Sequence, residues 1–318
     1  MPKLIAMGEL LIDFIPNEKN IPLKDVFAFS KAAGGAPANV AACVAKLGYP
    51  SKMITKLGTD AFGDYLVETL DQVGVDTSSI VRTDEANTAL AFVSLRADGE
   101  RDFSFYRNPS ADMLLSEEEI QEEWFEPGDI LHFCSVDLIE APVKYAHLKA
   151  IEYALKHQCI ISFDPNLRFP LWKDLEVYHK TLQEFLPLAH ILKISTDELE
   201  FITRIQDQEE AIQSLFQGNV KVVLLTDGAV GATVYTKKHS LFVPTLPVKA
   251  VDTTGAGDSF IGGILYQVLA RGIPLAEIER VMYRQTVLFA HRVSRIVVSR
   301  YGAIPAMPSL KEVDLQND

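Results

Sequence analysis

The sequence from Asp252 to Asp258 reads Asp-Thr-Thr-Gly-Ala-Gly-Asp, and the residues that follow, Ser259 to Leu269, have the apolar periodicity of a helix. Gly255 and Gly257 permit a tight turn with exposed backbone amides, and the positive end of the helix dipole lies behind them. Both features favour a bound phosphate. The segment therefore predicts an anion site at the start of a helix.

Asp258 is the unexpected residue of this segment, because a carboxylate repels phosphate. Its presence is accounted for if it accepts the proton of a hydroxyl group that attacks the phosphorus. The alternative is a glycine-rich turn in which Asp258 is an ordinary acidic residue of a first helical turn. The first interpretation predicts phosphoryl transfer to an alcohol.

The composition is that of a globular protein, with 318 residues of which 48% are hydrophobic and 23% charged. The net charge of −13 and the absence of a Lys/Arg block disfavour a nucleic-acid or anionic-membrane partner. Glu9 and Asp13 interrupt the first apolar stretch, and no later run approaches a membrane span, so we expect a cytoplasmic protein. Cys43, Cys134 and Cys159 lack metal-ligand spacing, which predicts buried free thiols.

Short apolar runs alternate with helical stretches along the chain. This alternation predicts an α/β fold, a doubly wound and mostly parallel sheet, in a single domain over residues 1–318. The expected strands are Lys3–Met7, Lys52–Leu57, Ile130–Cys134, Ile160–Phe163, His190–Ile194 and Lys221–Leu225. The expected helices are Pro37–Leu47, Phe62–Val73, Val143–His157 and Glu209–Phe216.

Two regions depart from the alternation. The runs Ala89–Leu95 and Asp102–Arg107 flank the turn Asp98-Gly99 and predict a half-exposed hairpin. Another pair of short extended runs lies within residues 11–30. Together they predict a small β-sheet, formed from about 11–30 and 88–110, that closes over a substrate cleft. In this interpretation Phe103 and Phe105 exclude solvent, and the alternative is a surface hairpin with no lid role.

A second glycine cluster precedes the first predicted helix. Gly34 and Gly35 permit close approach of a ligand to the backbone, and Asn39 offers both a donor and an acceptor, which suits sugar hydroxyls. Asp13 is a carboxylate within an apolar strand. It lies either at a ligand cleft or at the exposed end of the strand.

Two further turns follow predicted strands. Asp164 to Arg168 reads Asp-Pro-Asn-Leu-Arg and lies where open α/β sheets place their binding crevice, although a strand-terminating turn is the alternative. Thr226 to Gly231 is a glycine turn that could border a nucleotide. The chain contains neither a P-loop, nor a protein-kinase catalytic loop, nor a dinucleotide fingerprint.

These motifs resemble a known family. The segment Asp252–Asp258 resembles the C-terminal signature of the ribokinase-like carbohydrate kinases of phosphofructokinase B type, and Gly34–Ala41 resembles their N-terminal signature. Phe105–Leu114 and Asp164–Arg168 with Trp172 look most like the fructokinases. The resemblance implies transfer of the γ-phosphate of ATP to the 6-hydroxyl of fructose. The alternatives are a 2-keto-3-deoxygluconate kinase and a catalytically silent sugar-binding regulator.

The resemblance also implies roles for individual residues. Asp258 is the general base, and the amides of Gly255, Ala256 and Gly257 form the anion hole. The sugar-binding residues are Asp13, Gly34, Gly35, Asn39, Arg107 and Arg168. The nucleotide-binding residues are Thr226, Gly228, Gly231 and Gly257. Glu198 is expected to hold magnesium through water, and Asp252 and Thr254 to lie at a potassium site. The expected partners are the sugar and ATP, with a homodimer through the small sheet.

The chain departs from the family pattern in two places. The motif Asn-x-x-Glu reads Ser195-Thr196-Asp197-Glu198, in which a serine hydroxyl can still bind a metal-bound water. His291 to Arg295 occupies a stretch where the family more often has small residues around adenine. Nucleotide base selectivity is therefore left open.

Overall fold

A computed structural model describes residues 1–18, 21–95, 101–282 and 284–315. For 94–95, 101–103, 280 and 281 the backbone alone is described. The predicted turn at Asp98-Gly99 lies outside the described residues, as does the side chain of Phe103.

Most of the strands form one large sheet. The described residues contain thirteen strands, which are β1 Leu4–Met7, β2 Leu11–Pro16, β3 Phe29–Gly34, β4 Ser51–Gly58, β5 Ile80–Thr83, β6 Leu90–Leu95, β7 Arg101–Tyr106, β8 Ile130–Cys134, β9 Ile160–Asp164, β10 Ile191–Ser195, β11 Val222–Asp227, β12 Gly231–Tyr235 and β13 Ser240–Pro244. Nine of them are ordered β13-β12-β11-β10-β9-β8-β1-β4-β5. The pairs from β11 to β5 are parallel, and β12 and β13 add an antiparallel edge. The predicted mostly parallel α/β sheet is confirmed.

Helices cover both faces of this sheet. They are α1 Ala36–Lys46, α2 Ala61–Gln72, α3 Pro142–Lys156, α4 Leu175–Phe185, α5 Thr196–Thr203, α6 Gln208–Ser214, α7 Ala256–Ala270, α8 Ile278–Val281, α9 Arg284–Val298 and α10 Leu310–Asp314. One buried cluster joins the sheet to α1, α7 and α9, and a second joins its other face to α3, α4, α5 and α6. Alternate side chains of each strand, such as Leu4 and Ile5, supply the two cores.

In the described residues a second sheet has four strands, ordered β3-β2-β6-β7, and it packs against α1 and α2. Asp13 in β2 is paired with Ala32 and Ala91, and Ala91 is paired with Phe105. Asp13 and Phe105 therefore share one face of this sheet. Phe14, Phe29 and Phe92 occupy the opposite face, where Phe14 and Phe92 stack with ring centroids 4.8 Å apart. The predicted small sheet is confirmed, and its closure over a substrate stays a prediction.

The predicted element boundaries agree with the structure within about one to two residues, with one informative exception. The helix expected from Ser259 begins at Ala256, so that Gly257 and Asp258 belong to its first turn. Small and polar residues there carry no apolar periodicity, which concealed the true start. The strands β5, β12 and β13 were not predicted, because they are partly exposed and lack a continuous apolar run.

Other expectations concern the cysteines and the membrane. The three cysteines are buried and free, as predicted. None of the helices in the described ranges combines the length and apolar character that a membrane span requires. The cytoplasmic location stays a prediction.

Candidate active site

The first turn of α7 lies at the carboxyl end of the parallel strands. Gly255 is its N-cap, with φ of 76°, a conformation that favours glycine. A Cβ at this position would lie 2.9 Å from the Ala303 Cβ, so space as well as backbone angle requires glycine. The Ala256 amide donates to the Thr253 carbonyl at 3.2 Å. Within the described part of the chain, the amides of Gly255 and Gly257 have no protein hydrogen-bond acceptor.

Asp258 lies in this turn and is buried, with 8% of its surface exposed. Asn39, from the first turns of α1, donates a hydrogen bond from Nδ2 to Asp258 Oδ2 at 2.7 Å. Burial raises the pKa of Asp258, while the Asn39 hydrogen bond and the charges of Lys193 and Arg168 oppose that rise. Within the described residues Asn39 Oδ1 has no hydrogen-bond partner. The structure thus joins the two glycine motifs through one amide–carboxylate contact.

The Gly34-Gly35 turn is held by two carboxylates. The Asp13 side chain lies directly against Gly34, where a Cβ would overlap its Oδ2. A Cβ on Gly35, whose φ is 112°, would overlap the Glu9 carbonyl. Glu9 Oε1 accepts a hydrogen bond from the Ala36 amide at 2.9 Å and so caps the start of α1. The sequence analysis did not assign Glu9 to the site, although a carboxylate inside an apolar stretch was the available signal.

Lys193 is a second residue of the site that the sequence analysis missed. It lies in the middle of β10, and its Nζ donates to Asp164 Oδ2 at 2.9 Å. Burial raises the pKa of Asp164 to about 7, against the opposing effect of the ammonium. A Cβ on Gly257 would lie 3.0 Å from Lys193 Nζ. A charged residue in an otherwise apolar buried strand was the signal that could have identified it.

The loop after β9 carries Arg168 toward the same edge of the sheet. Glu198 holds this loop, because its Oε1 accepts from the Leu167 amide at 2.7 Å. Its Oε2 accepts from the Ser195 amide and hydroxyl, each at 2.8 Å, in a capping box at the start of α5. Tyr178 also contacts this loop. Its ring stacks on Trp172 with centroids 4.1 Å apart, and its hydroxyl accepts from the Arg168 amide at 3.4 Å.

Arg107 follows β7 and is buried, with 8% of its surface exposed. Its guanidinium pairs with Asp112 and Asp137. Its charge also lowers the pKa of Glu9, which burial raises to about 7. Arg107 therefore borders the Glu9 side of the site, but the sugar contact implied for it would have to share a guanidinium already bound by two carboxylates.

The residues implied for the nucleotide lie at the carboxyl end of β11. Thr226 is half-buried, and its hydroxyl donates to the Ile194 carbonyl at 3.4 Å. Gly228 is exposed with φ of 41°. Gly231 begins β12 with φ of 153°, and a Cβ there would lie 2.9 Å from the Pro244 Cα. Close packing of β13 is thus a sufficient structural reason for Gly231.

The implied metal-binding residues take part in protein hydrogen bonds. Asp252 Oδ1 accepts from the Thr254 amide and hydroxyl at 2.9 and 2.7 Å, and its Oδ2 accepts from the Gly302 amide at 3.0 Å. Glu198 is used as a cap, as described above. Among the described residues no group of three or more His, Cys, Asp or Glu side chains could hold a metal ion. The Glu198 carboxylate and the Ser195 hydroxyl are oxygen donors, the ligand type that suits a divalent ion held through water.

His291, in the stretch expected near adenine, is buried in α9. Its Nε2 is 3.1 Å from the Val243 carbonyl, and its ring lies 5.3 Å from that of Phe260. The ring therefore packs between α7, α9 and β13.

Comparisons with known proteins identify the family of the chain. The chain matches the pfkB family of carbohydrate kinases over residues 1–310. It is 44% identical over 307 residues to probable fructokinase-2 of Arabidopsis thaliana, a match that covers 96% of this chain and 93% of that protein. The crystal structure of a fructokinase with bound ATP from Xylella fastidiosa has a TM-score of 0.90 at 38% identity and covers 99% of each chain.

A fructokinase double mutant from Vibrio cholerae, solved with fructose, ADP and potassium ion bound, has a TM-score of 0.87 at 31% identity. It covers 99% of this chain and 98% of that chain. The fold and these comparisons together define a sugar kinase of the ribokinase-like class. The chain belongs to the pfkB family of carbohydrate kinases, and the predicted enzyme class, an ATP-dependent carbohydrate kinase, is confirmed.

Proposed function

We propose that the enzyme transfers the γ-phosphate of ATP to the 6-hydroxyl of D-fructose. The observation that carries the proposal is the buried Asp258 carboxylate, which lies in the first turn of α7 and is bound by Asn39. The relatives that share 38% to 44% of the sequence are named as fructokinases, which favours fructose among sugars.

In the proposed reaction Asp258 accepts the proton of the sugar hydroxyl. The sugar oxygen forms a bond to the γ-phosphorus as the bond from that phosphorus to the bridging oxygen of ADP breaks. The free amides of Gly255 and Gly257 and the dipole of α7 stabilise the charge on the transferring group. Asp258 must be ionised to accept the proton. The hydrogen bond from Asn39 favours the ionised form, because it limits the rise that burial causes in the pKa of Asp258.

We assign the sugar to the pocket bordered by Asp13, Gly34, Gly35 and Asn39, with Arg168 on the phosphate side. The Asn39 Oδ1 acceptor is buried and, within the described residues, unpartnered, so a sugar hydroxyl would satisfy it. The positive charge of Arg107 acts on Glu9, whose carboxylate accepts from the Ala36 amide beside this pocket. ATP would lie along the carboxyl end of β11, beside Thr226, Gly228 and Gly231.

We assign magnesium to the nucleotide phosphates and to water held by Glu198 and Ser195. When bound, it would neutralise part of the triphosphate charge. A potassium ion beside Asp252 and Thr254 would stiffen the loop before α7, which Asp252 already ties to Gly302. Activity that persists unchanged in excess chelator would contradict the magnesium assignment. Equal activity in sodium and in potassium would contradict the potassium assignment.

Initial rates of ADP formation with fructose, 2-keto-3-deoxygluconate, ribose and adenosine test the proposal. We expect the highest kcat/KM with fructose. A higher value with 2-keto-3-deoxygluconate would instead support the alternative kinase, since both sugars could use Arg168. No ADP formation with any sugar would support a silent sugar-binding regulator.

We also propose a homodimer formed through the small sheet. Its face opposite Asp13 carries Phe14, Phe29 and Phe92, with Tyr106 63% exposed at the border. An aromatic face of this kind is typical of a protein interface. Light scattering should give twice the chain mass, and Tyr106→Lys should shift the mass toward that of one chain. A wild-type mass of one chain would contradict the dimer.

A further inference from the structure

A cavity of about 660 Å³ lies at the end of the large sheet opposite to the candidate active site. Ile160 begins β9, and His190 and Lys221 directly precede β10 and β11, so the cavity lies at the amino ends of these strands. Asp258 and Thr226 lie at the carboxyl ends. A volume between roughly 300 and 1,000 Å³ is typical of a small-molecule site. The proposed reaction does not use this cavity.

Most of the lining of this cavity is apolar. The main apolar residues are Pro2, Pro127, Ile160, Val268, Leu269 and Leu275. The lining also has four polar side chains, Gln158, Cys159, His190 and Lys221, and among the described residues it has no carboxylate. The chain as a whole has 43 acidic and 30 basic residues, so a cavity with a lysine and no acid departs from the average surface. This lining favours an apolar ligand that carries a negative charge.

The backbone carbonyls at the end of α7 are bound by protein donors. The Leu269 carbonyl accepts from the Gly272 amide at 2.9 Å and from the Tyr49 hydroxyl at 3.0 Å. The Val268 carbonyl accepts from the Ile273 amide at 3.2 Å. These donors offset the partial negative charge at the end of a helix, which would otherwise repel an anion.

His190 supplies a hydrogen-bond donor that the fold does not use. Its side chain is buried, and its Nδ1 accepts from the Ile161 amide at 2.9 Å. Burial and the charge of Lys221 lower the pKa of His190 to about 4, so at neutral pH the ring is neutral and its proton lies on Nε2. Among the described residues Nε2 has no hydrogen-bond acceptor. A buried donor of this kind is unfavourable unless a ligand or water accepts from it.

Lys221 supplies a positive charge beside this donor. It is half-buried, and within the described part of the chain its ammonium forms no ion pair or hydrogen bond. It is close enough to His190 to lower the pKa of the ring. A carboxylate has one charge and two acceptor oxygens, one for the ammonium and one for the ring N–H. A phosphate dianion would leave one charge unmatched.

We propose that this cavity binds a small organic carboxylate with an apolar body. The carboxylate accepts hydrogen bonds from His190 and Lys221, and the apolar body packs against β9 and the last turn of α7. The site lies at the opposite end of α7 from Asp258, so it is distinct from the proposed sugar and ATP sites. Binding to it requires neither substrate.

Hexanoate is a suitable probe, and isoleucine methyl groups report where it binds, since Ile160 and Ile273 line the cavity. In an NMR titration of the methyl-labelled protein without ATP or fructose, both signals should shift and saturate. We expect a Kd of about 1 mM, which suits a ligand of this size. Hexanamide and hexylammonium have a similar apolar body but no negative charge, and they should bind about tenfold more weakly or less.

Lys221→Met should weaken hexanoate binding about tenfold and leave hexanamide binding unchanged, because only the carboxylate loses a charged hydrogen bond. Lys221→Arg should restore hexanoate affinity. Lys180→Met is the control, since Lys180 is an exposed residue of α4 outside the cavity, and it should match the wild type.

Three results would each overturn the inference. They are methyl signals of Ile160 and Ile273 that do not shift at the solubility limit of hexanoate, equal affinity for the three probes, and unchanged hexanoate affinity in Lys221→Met. Because binding is measured without ATP or sugar, none of these results bears on the proposed phosphoryl transfer.

Discussion

Asn39 links the proposed sugar pocket to the proposed base, because its amide group borders both. Its Nδ2 donates to Asp258 Oδ2 at 2.7 Å. Among the described residues its Oδ1 has no hydrogen-bond partner, so this oxygen can accept a hydrogen bond from a ligand. A single side chain therefore orients the carboxylate, lowers its pKa and offers an acceptor to a hydroxyl group.

Asn39→Ala should move the acid limb of the pH profile of kcat to higher pH. The base works only when ionised, so kcat falls as the pH drops through the pKa of Asp258. Without the Asn39 hydrogen bond that pKa rises, and the fall begins at a higher pH. Fructose affinity, measured by calorimetry, should weaken by about 1–3 kcal/mol.

Asn219→Ala is the control, since Asn219 is half-buried and its Nδ2 contacts the Leu188 carbonyl at 3.5 Å. Its pH profile should match that of the wild type. An acid limb that stays in place in Asn39→Ala would show that the contact does not tune the base. If Asp13→Ala and Asn39→Ala both keep full fructose affinity, the sugar binds elsewhere.

The residues that could be predicted from sequence are those whose chemistry is unusual in a local pattern. Asp258 beside two glycines and Asp13 within a strand are of this kind. The Asn39–Asp258 contact joins residues that are 219 positions apart, so no local pattern carries it. Lys193 and Glu9 were missed because their partners, Asp164 and the Ala36 amide, are distant in the sequence.

At the scale of elements, the start of α7 depends on a close approach to the loop before α10. Gly255 has a positive φ, and a Cβ there would lie 2.9 Å from the Ala303 Cβ. Asp252 binds the Gly302 amide and joins the same two segments. The position of the Gly255 and Gly257 amides therefore depends on contacts with the segment around Gly302 and Ala303, outside α7.

Gly255→Ala should lower both stability and kcat. A residue with a Cβ in the left-handed region costs about 1–2 kcal/mol, and the contact with Ala303 adds to this. Gly272→Ala is the matched control, because Gly272 has φ of 59° but a Cβ there would meet nothing within 4 Å. Urea unfolding should show a larger loss for Gly255→Ala, with kcat reduced only in that variant. Equal losses in stability and unchanged kcat would refute the packing argument.

The small sheet is expected to close over bound sugar, because water would otherwise compete for the phosphoryl group. Saturating fructose should slow amide hydrogen exchange in 89–93 and 104–107 more than ATP does. The amides of α6, which lies outside the proposed sugar and ATP sites, provide the internal reference. Equal protection with and without fructose would mean that this sheet is a static surface feature.

Regular elements were predicted well because burial on both faces of a parallel sheet produces continuous apolar runs. The strands β12 and β13 and the start of α7 were not, because partial exposure and small residues remove the periodic signal. The buried strands and helices can therefore be predicted from local sequence patterns more readily than the partly exposed strands and the start of α7.

At the scale of the whole molecule, a chain with a net charge of −13 places two cationic side chains near Asp258. They are Lys193 and Arg168, and their charges oppose the rise that burial causes in the pKa of Asp258. Nearby, Glu9, Asp112 and Asp137 share the single guanidinium of Arg107 in a buried cluster. Burial raises the pKa of Glu9 to about 7, so the folded cluster retains a proton that the unfolded chain releases.

Glu9→Gln should therefore gain stability relative to the wild type as the pH rises from 5 to 8. A raised carboxyl pKa gives stability that is fully present below the unfolded value of 4.5 and is lost as the pH rises through about 7. Glutamine still accepts from the Ala36 amide but has no proton to lose. Unfolding free energies at both pH values test this, with exposed Glu209→Gln as the control. A stability difference that does not change with pH would contradict the assignment.

Asp258→Asn is the most direct test of phosphoryl transfer by this site. Asparagine preserves the shape of the side chain but cannot accept the proton, so kcat for fructose-dependent ADP formation should fall by about a hundredfold or more. Fructose affinity, measured by calorimetry, should change little, and exposed Asp314→Asn should match the wild type. Near-native turnover of Asp258→Asn across the pH range would show that Asp258 is not the base.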